Sequence, residues 1–113
     1  MVNTDNYEEV LEGLRQELRR GSLVLAVLSR LDSEKYGYAL KQELADRGLE
    51  VNEGTLYPLL RRLEDQALLA SEWRVVDEAR PRRYYQLSEQ GRQALEDLAR
   101  EWKLISDTIE SLI

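Results

Sequence analysis

Apolar residues recur along this chain with two periods, and the switch between them divides it into elements. In residues 52–66, NEGTLYPLLRRLEDQ, Leu56, Leu59, Leu60 and Leu63 fall at i, i+3, i+4 and i+7, the single stripe of an amphipathic helix. Thr55, Pro58, Arg61 and Arg62 point away from that stripe, with Tyr57 on its flank. Such a helix buries one side and offers hydroxyl and guanidinium groups on the other. Upstream, residues 5–18 carry Tyr7, Val10, Leu11, Leu14 and Leu18 at helical spacing, with acids in the first turn where the helix dipole favours them. Gly21 and Ser22 are expected to break or cap that helix, and SLVLAVLSRL after them, apolar almost all round, predicts the most deeply buried helix. KYGYALKQELADRG predicts a short helix with Leu40 and Leu44 inward, closed by Gly48 in a left-handed conformation.

Past the central helix the period shortens to two. LLASEWRVV sets Leu69, Ser71, Trp73 and Val75 against Ala70, Glu72, Arg74 and Val76, and RRYYQLS is a second β-prone run across the short loop DEARP. Ser88 can cap a last helix in which Leu95, Leu98, Trp102, Ile105, Ile109 and Leu112 alternate spacings of three and four, a coiled-coil seam. The pattern predicts a mainly α fold with a small β-hairpin: a winged helix-turn-helix domain over residues 1–87 and a long C-terminal dimerisation helix over 88–113, in one compact unit.

The start of the central helix admits two readings. Asn52 is a good N-cap, but a helix begun there places Pro58 where its missing N–H breaks a bond to the Gly54 carbonyl. With Thr55 as the cap, Pro58 falls in the first turn and the conflict disappears. In either case Gly54, lacking a Cβ, lets the backbone approach a phosphate at the positive end of the helix dipole, unless it is a plain loop glycine.

Composition narrows the chemistry. The 113 residues suit one domain with one core, and 42% hydrophobic content is ordinary for a globular protein. The absence of Cys and His excludes disulfides, thiolate nucleophiles, imidazole bases and nearly all zinc sites, so no metal, no cofactor and no catalytic residue is expected, and the chain is not read as an enzyme. No run approaches the roughly 18 apolar residues of a membrane span, and MVNTDNYEEV lacks a signal peptide's basic start, so a cytoplasmic protein is expected. The net charge of -6 opposes nucleic-acid binding until its distribution is considered. Residues 80–83 read RPRR, whereas from Ser88 onward acids outnumber bases six to three. A basic tip on an acidic body allows specific docking while limiting indiscriminate binding.

An outward face of Thr, Tyr and Arg suits a DNA major groove, where hydroxyls and backbone N–H groups hold phosphates and Arg bonds guanine edges bidentately. Gly54, Thr55, Tyr57, Pro58, Arg61 and Arg62 are the candidates on the helix, and Arg80, Arg82 and Arg83 on the wing, whose tip can reach phosphates or the minor groove. Trp102, mid-seam, is either an interface residue or a platform on which a flat aromatic ligand stacks across a dimer cavity.

These segments together resemble the PadR-like transcriptional regulators. The resemblance rests on RRGSLVLAVL, YGYALKQEL, GTLYPLLRRLEDQ followed by LL, RRYYQLSEQG and a single long terminal helix, in that order over nearly the whole chain. It implies a winged helix-turn-helix homodimer that represses transcription from a partly palindromic operator. It also implies, for some short members, a planar aromatic effector held between subunits beside an aromatic residue of the terminal helix, a place matched here by Trp102. One position departs: the family pattern has Gly after the recognition helix and this chain has Ala67. A positive φ there would cost alanine about 1 kcal/mol. The expected function is a sequence-specific DNA-binding regulator, a homodimeric repressor released by a small, planar aromatic effector; the alternative is a winged-helix adaptor that binds protein without DNA, its acidic terminal helix making the contact.

Overall fold

The computed structural model describes residues 4–75, 77–78 and 80–113; Val76 and Ala79, which the strand and loop readings included, lie outside them. The order is α1 (Thr4–Arg30), β1 (Lys35–Tyr36), α2 (Gly37–Asp46), α3 (Glu53–Asp65), β2 (Leu69–Arg74), β3 (Arg82–Leu87) and α4 (Glu89–Leu112). The three strands form an antiparallel sheet in the order β1-β3-β2. β2 and β3 are the expected hairpin, with Leu69 opposite Leu87 and Arg74 opposite Arg82. β1 was not expected. It has two residues, too few to show an alternation, and pairs Lys35 with Tyr85 and Tyr36 with Tyr84.

The two helices expected at the N-terminus are one. α1 runs unbroken through Gly21 and Ser22, because a lone glycine in a helix interior costs only about 1 kcal/mol relative to alanine. The Ser22 hydroxyl bonds back to the Arg19 carbonyl at 2.8 Å, so it serves the helix interior and caps nothing. The C-terminal part of α1 and the residue after it enter the core as predicted: Val27, Leu28 and Leu31 are fully buried. Its N-terminal part projects past the core and leaves Tyr7, Val10, Leu14 and Leu18 exposed.

The core joins those residues to Leu40 and Leu44 of α2, the four leucines of α3, and Leu69, Tyr85 and Leu87 of the sheet. Each buried leucine contributes roughly 1.5–3 kcal/mol, so the inner face alone secures α3. Among the described residues no buried side-chain polar atom lacks a partner.

α2 and α3 end in the same way. Beyond α2, the N–H of Gly48 donates to the Ala45 carbonyl at 2.9 Å and that of Leu49 to Leu44 at 2.8 Å. Beyond α3, Ala67 donates to Glu64 and Leu68 to Leu63, both at 2.9 Å. This double closure needs a left-handed residue at its first position. Gly48 supplies it at φ 96, and Ala67 adopts it at φ 66 despite its side chain.

α4 is fastened to this second turn. The Ser88 hydroxyl accepts from the Gly91 N–H at 3.0 Å and donates to the Ala67 carbonyl at 2.6 Å, while the Ser88 N–H donates to Leu68. A Cβ on Gly91 would lie 2.0 Å from the Leu68 carbonyl oxygen, so only glycine permits this approach. The helix starts beside the end of α1, where Arg92 donates to the Asp32 carbonyl at 3.5 Å, and packs against α1. Beyond Leu95, its apolar residues Leu98, Trp102, Ile105, Ile109 and Leu112 are exposed.

Candidate nucleic-acid interface

The Asn52 side chain fixes the start of α3: Oδ1 accepts the Thr55 N–H at 2.8 Å and the helix begins at Glu53. Thr55 is therefore not the cap, and Pro58 lies inside the helix. The Gly54 carbonyl loses its intrahelical partner, and because Gly54 and Pro58 are exposed the vacancy lies on the solvent side of the helix. Gly54 sits in the first helical turn, not in a loop.

From this start the two faces follow. Leu56, Leu59, Leu60 and Leu63 are buried, and Thr55, Pro58, Arg61 and Arg62 are exposed. Tyr57 is half-buried, its ring pressed on the start of α2 so closely that a Cβ on Gly37 would meet it at 2.6 Å. Burial, reinforced by the Glu53 carboxylate, raises the Tyr57 hydroxyl above its ordinary value of 10.0. It remains a neutral donor at physiological pH.

The wing arginines divide. Arg80 is exposed in the loop beside the exposed Asp77 and Glu78. The Arg82 guanidinium lies 4.4 Å from the centre of the Tyr36 ring. Arg83 turns inward: its Nη2 binds Glu64 of α3 and its Nε donates to the Ser71 hydroxyl at 3.0 Å. That hydroxyl in turn donates to the other Glu64 oxygen. Arg83 was expected among the outward contacts, but its charge is neutralised by Glu64 and it braces the hairpin to α3. A sequence shows that an arginine is present, not which carboxylate captures it. Arg74 is likewise held by Glu34 and Glu72, which raise its already high pKa.

Glu43 gathers Arg30 at 2.7 Å and Lys35 and Arg47 at 3.7 Å, and Glu53 lies 3.9 Å from Lys41. Among the described residues, Arg61, Arg62, Arg80 and Arg82 have no carboxylate within ion-pair distance. α3 and the wing therefore hold four arginines without an ion-pair partner among the described residues, beside the paired Arg74 and Arg83.

Between the start of α2, the flank of α3 and the hairpin stem is an open cleft of about 330 Å³. Arg61, Tyr57 and Arg82 reach it, together with Tyr36, Tyr38 and Trp73, none of which was expected at a site. The signal available for these three was their aromatic character at positions where the core needs no ring. Trp102 lies elsewhere, half-exposed in the outer row of α4.

A helix-turn-helix with an outward basic second helix, followed by a hairpin whose sheet takes in a strand ahead of the first, defines the winged-helix class of DNA-binding domain. The comparisons with known proteins agree. The profile described as the transcriptional regulator PadR-like family matches residues 24–97, and the chain belongs to that family. A transcriptional regulator of Mycobacterium tuberculosis is 46% identical over 94 residues, covering 76% of this chain and 87% of its own. The crystal structure of a PadR-family transcriptional regulator from Eggerthella lenta superposes with a TM-score of 0.90 at 42% identity over 96% of both chains. A PadR-like regulator from Bacillus cereus matches with a TM-score of 0.76 at 30% identity, covering 85% of this chain and 95% of its own. The protein is a DNA-binding transcriptional regulator, and its family and relatives are regulators, not enzymes.

Proposed function

We propose that the chain acts as a cytoplasmic homodimeric repressor of a partly palindromic operator. Two copies of α3 enter successive major grooves about 34 Å apart. Arg61 and Arg62 read base edges and phosphates, Gly54 and Thr55 hold phosphate at the helix start, and Tyr57 and Pro58 shape the approaching surface. Arg80 and Arg82 of the wing take flanking phosphates, and Arg83 holds the wing in place. Residues 1–87 form the reading unit and 88–113 the pairing helix. The observation that carries this reading is the exposure of Arg61 and Arg62 without an acidic partner, on a helix whose opposite face is fully committed to the core.

The pairing surface is supported by two apolar rows, Tyr7, Val10, Leu14 and Leu18 on α1 and Leu98, Trp102, Ile105, Ile109 and Leu112 on α4. A lone soluble domain rarely exposes so continuous an apolar surface. A second copy offers the matching rows and buries both. With Trp102 mid-row, a planar aromatic effector stacks between the paired indoles and releases the operator by binding the two dimer states unequally.

Selection from a random DNA pool tests the reading directly, with two related half-sites one helical turn apart as the expected product. On the selected duplex, replacing Arg61 and Arg62 with alanine should weaken binding and flatten its salt dependence by about 0.9 logarithmic units for each phosphate no longer neutralised. An unchanged slope removes these arginines from the interface.

A further inference from the structure

Arg74, Arg82 and Arg83 stand on the hairpin strands, and the fold uses their N–H groups differently. Arg74 spends its donors on Glu34 and Glu72, and Arg83 on Glu64 and Ser71. Arg82 is exposed and, among the described residues, meets neither a carboxylate nor a hydrogen-bond acceptor. What it meets is a ring. Its guanidinium carbon lies 4.4 Å from the centre of Tyr36, closer than Arg74 to Tyr84 at 5.1 Å or Arg83 to Tyr85 at 5.5 Å.

The backbone role of residue 36 does not call for a tyrosine. Tyr36 is the N-cap of α2, where Ser, Thr, Asp or Asn would bond the first turn, and its side chain makes no such bond. Its ring lies instead against that of Tyr84, centroids 5.6 Å apart, and Arg74 lies over the Tyr84 ring. Arg74 is also the residue paired across the hairpin with Arg82. Like charges directly opposite repel, but Glu34 and Glu72 neutralise Arg74 and hold it at Tyr84, which leaves Arg82 the face of Tyr36.

We infer that Tyr36 is a positioning residue for DNA binding: its ring holds the Arg82 guanidinium in the orientation in which it takes a flanking phosphate. The inference rests on the interface proposed above. A ring attracts a cation through its quadrupole and removes neither its charge nor its in-plane N–H groups, whereas a carboxylate offsets the one and occupies the others. The contact thus restrains Arg82 before DNA arrives, and a side chain restrained in advance loses less freedom on binding. Tyr36 also leads directly into α2, which packs against α3. The stack therefore places the wing's free cation relative to the reading helix as well as to the hairpin that carries it.

A fluorescein-labelled duplex recovered from the random pool is the probe, with affinity read by anisotropy over a range of salt. Arg82→Gln should weaken binding and lower the salt slope by about 0.9, the share of one phosphate. Tyr36→Leu should weaken it about two- to fivefold, the range of an exposed cation–π contact, whereas Tyr36→Phe, which keeps the ring, should bind as the unmodified protein does. In the Arg82→Gln background, Tyr36→Leu should have no further effect. No loss in Tyr36→Leu, an equal loss in both backgrounds, or a loss in Tyr36→Phe as large as in Tyr36→Leu overturns the positioning role and leaves Arg82 in the interface. Unchanged affinity and slope in Arg82→Gln remove Arg82 from the interface and overturn the positioning role with it. The contact is also read by NMR without DNA: in the unmodified protein and in Tyr36→Phe, the ring current should shift the Arg82 δ protons upfield. Random-coil shifts for those protons overturn the inference even if Tyr36→Leu does not fold.

Discussion

Replacing Ala67 with glycine should stabilise the protein, although it removes a methyl group and creates no new interaction. Ala67 holds φ 66 in the turn leaving α3, where its Cβ crowds the backbone. The left-handed conformation costs an ordinary residue roughly 1–2 kcal/mol, and Ala67→Gly removes that strain. Glycine also gains freedom in the unfolded chain, which returns about 0.4–1 kcal/mol. The expected net gain is about 0.5–1 kcal/mol, or about 2–5 °C in Tm for a domain of this size. The chain carries its own control in Gly48, which closes α2 with the same pair of backbone bonds at φ 96 and has open space where a Cβ would stand. Gly48→Ala should therefore destabilise by a similar amount with no steric clash. Both variants are best compared by denaturant unfolding at one protomer concentration, because the proposed self-association would make apparent stability depend on it. Two shifts of the same sign, or a loss of stability in Ala67→Gly, would refute the backbone-strain argument.

Other substitutions probe the remaining junctions. Gly91→Ala should cost about 1–3 kcal/mol or more, because the new Cβ meets the Leu68 carbonyl 2.0 Å away; a near-native urea midpoint would show that α4 docks elsewhere. A double-mutant cycle on Arg83 and Glu64 should return a coupling of about 1 kcal/mol, within the range for touching residues in one network, and zero coupling would dismiss the brace. Placing glutamate at both Ile105 and Ile109 should leave a folded monomer in sedimentation equilibrium, since four carboxylates would meet across the paired helices; a retained dimer would move the pairing surface off α4.

What the sequence disclosed depended on how many residues carry each signal. The α3 stripe repeats four times at helical spacing, and burial of Leu56, Leu59, Leu60 and Leu63 follows it residue by residue. Ser88 and Gly48 act where their chemistry placed them. β1 was illegible because two residues cannot show a period; its pairing depends on Tyr84 and Tyr85, distant in sequence. Gly21 misled because local propensity is weak beside a helix that continues on both sides. At Pro58, avoiding a broken hydrogen bond argued for Thr55 as the cap, yet an exposed carbonyl costs little in water and Asn52 caps the helix. The arginines show the clearest limit. Arg82 and Arg83 are adjacent on a strand, so they project to opposite sides, and only the fold reveals that Glu64 waits beneath one of them.

The bonds around Ser88 have a mechanical meaning. One serine ties the first turn of α4 to the turn that closes α3, and Gly91 lets the two backbones meet, so hydrogen bonds join the long helix to the end of α3. A tilt of about 5° between the tails of the proposed dimer, carried along a body whose longest dimension is 57 Å, would displace the far end by about 5 Å, comparable to the rise of one helical turn. In the proposed dimer, such an elbow would turn a slight wedge near the tail into a mismatch with the pitch of the double helix. On that proposal neither copy of α3 would have to change its own shape.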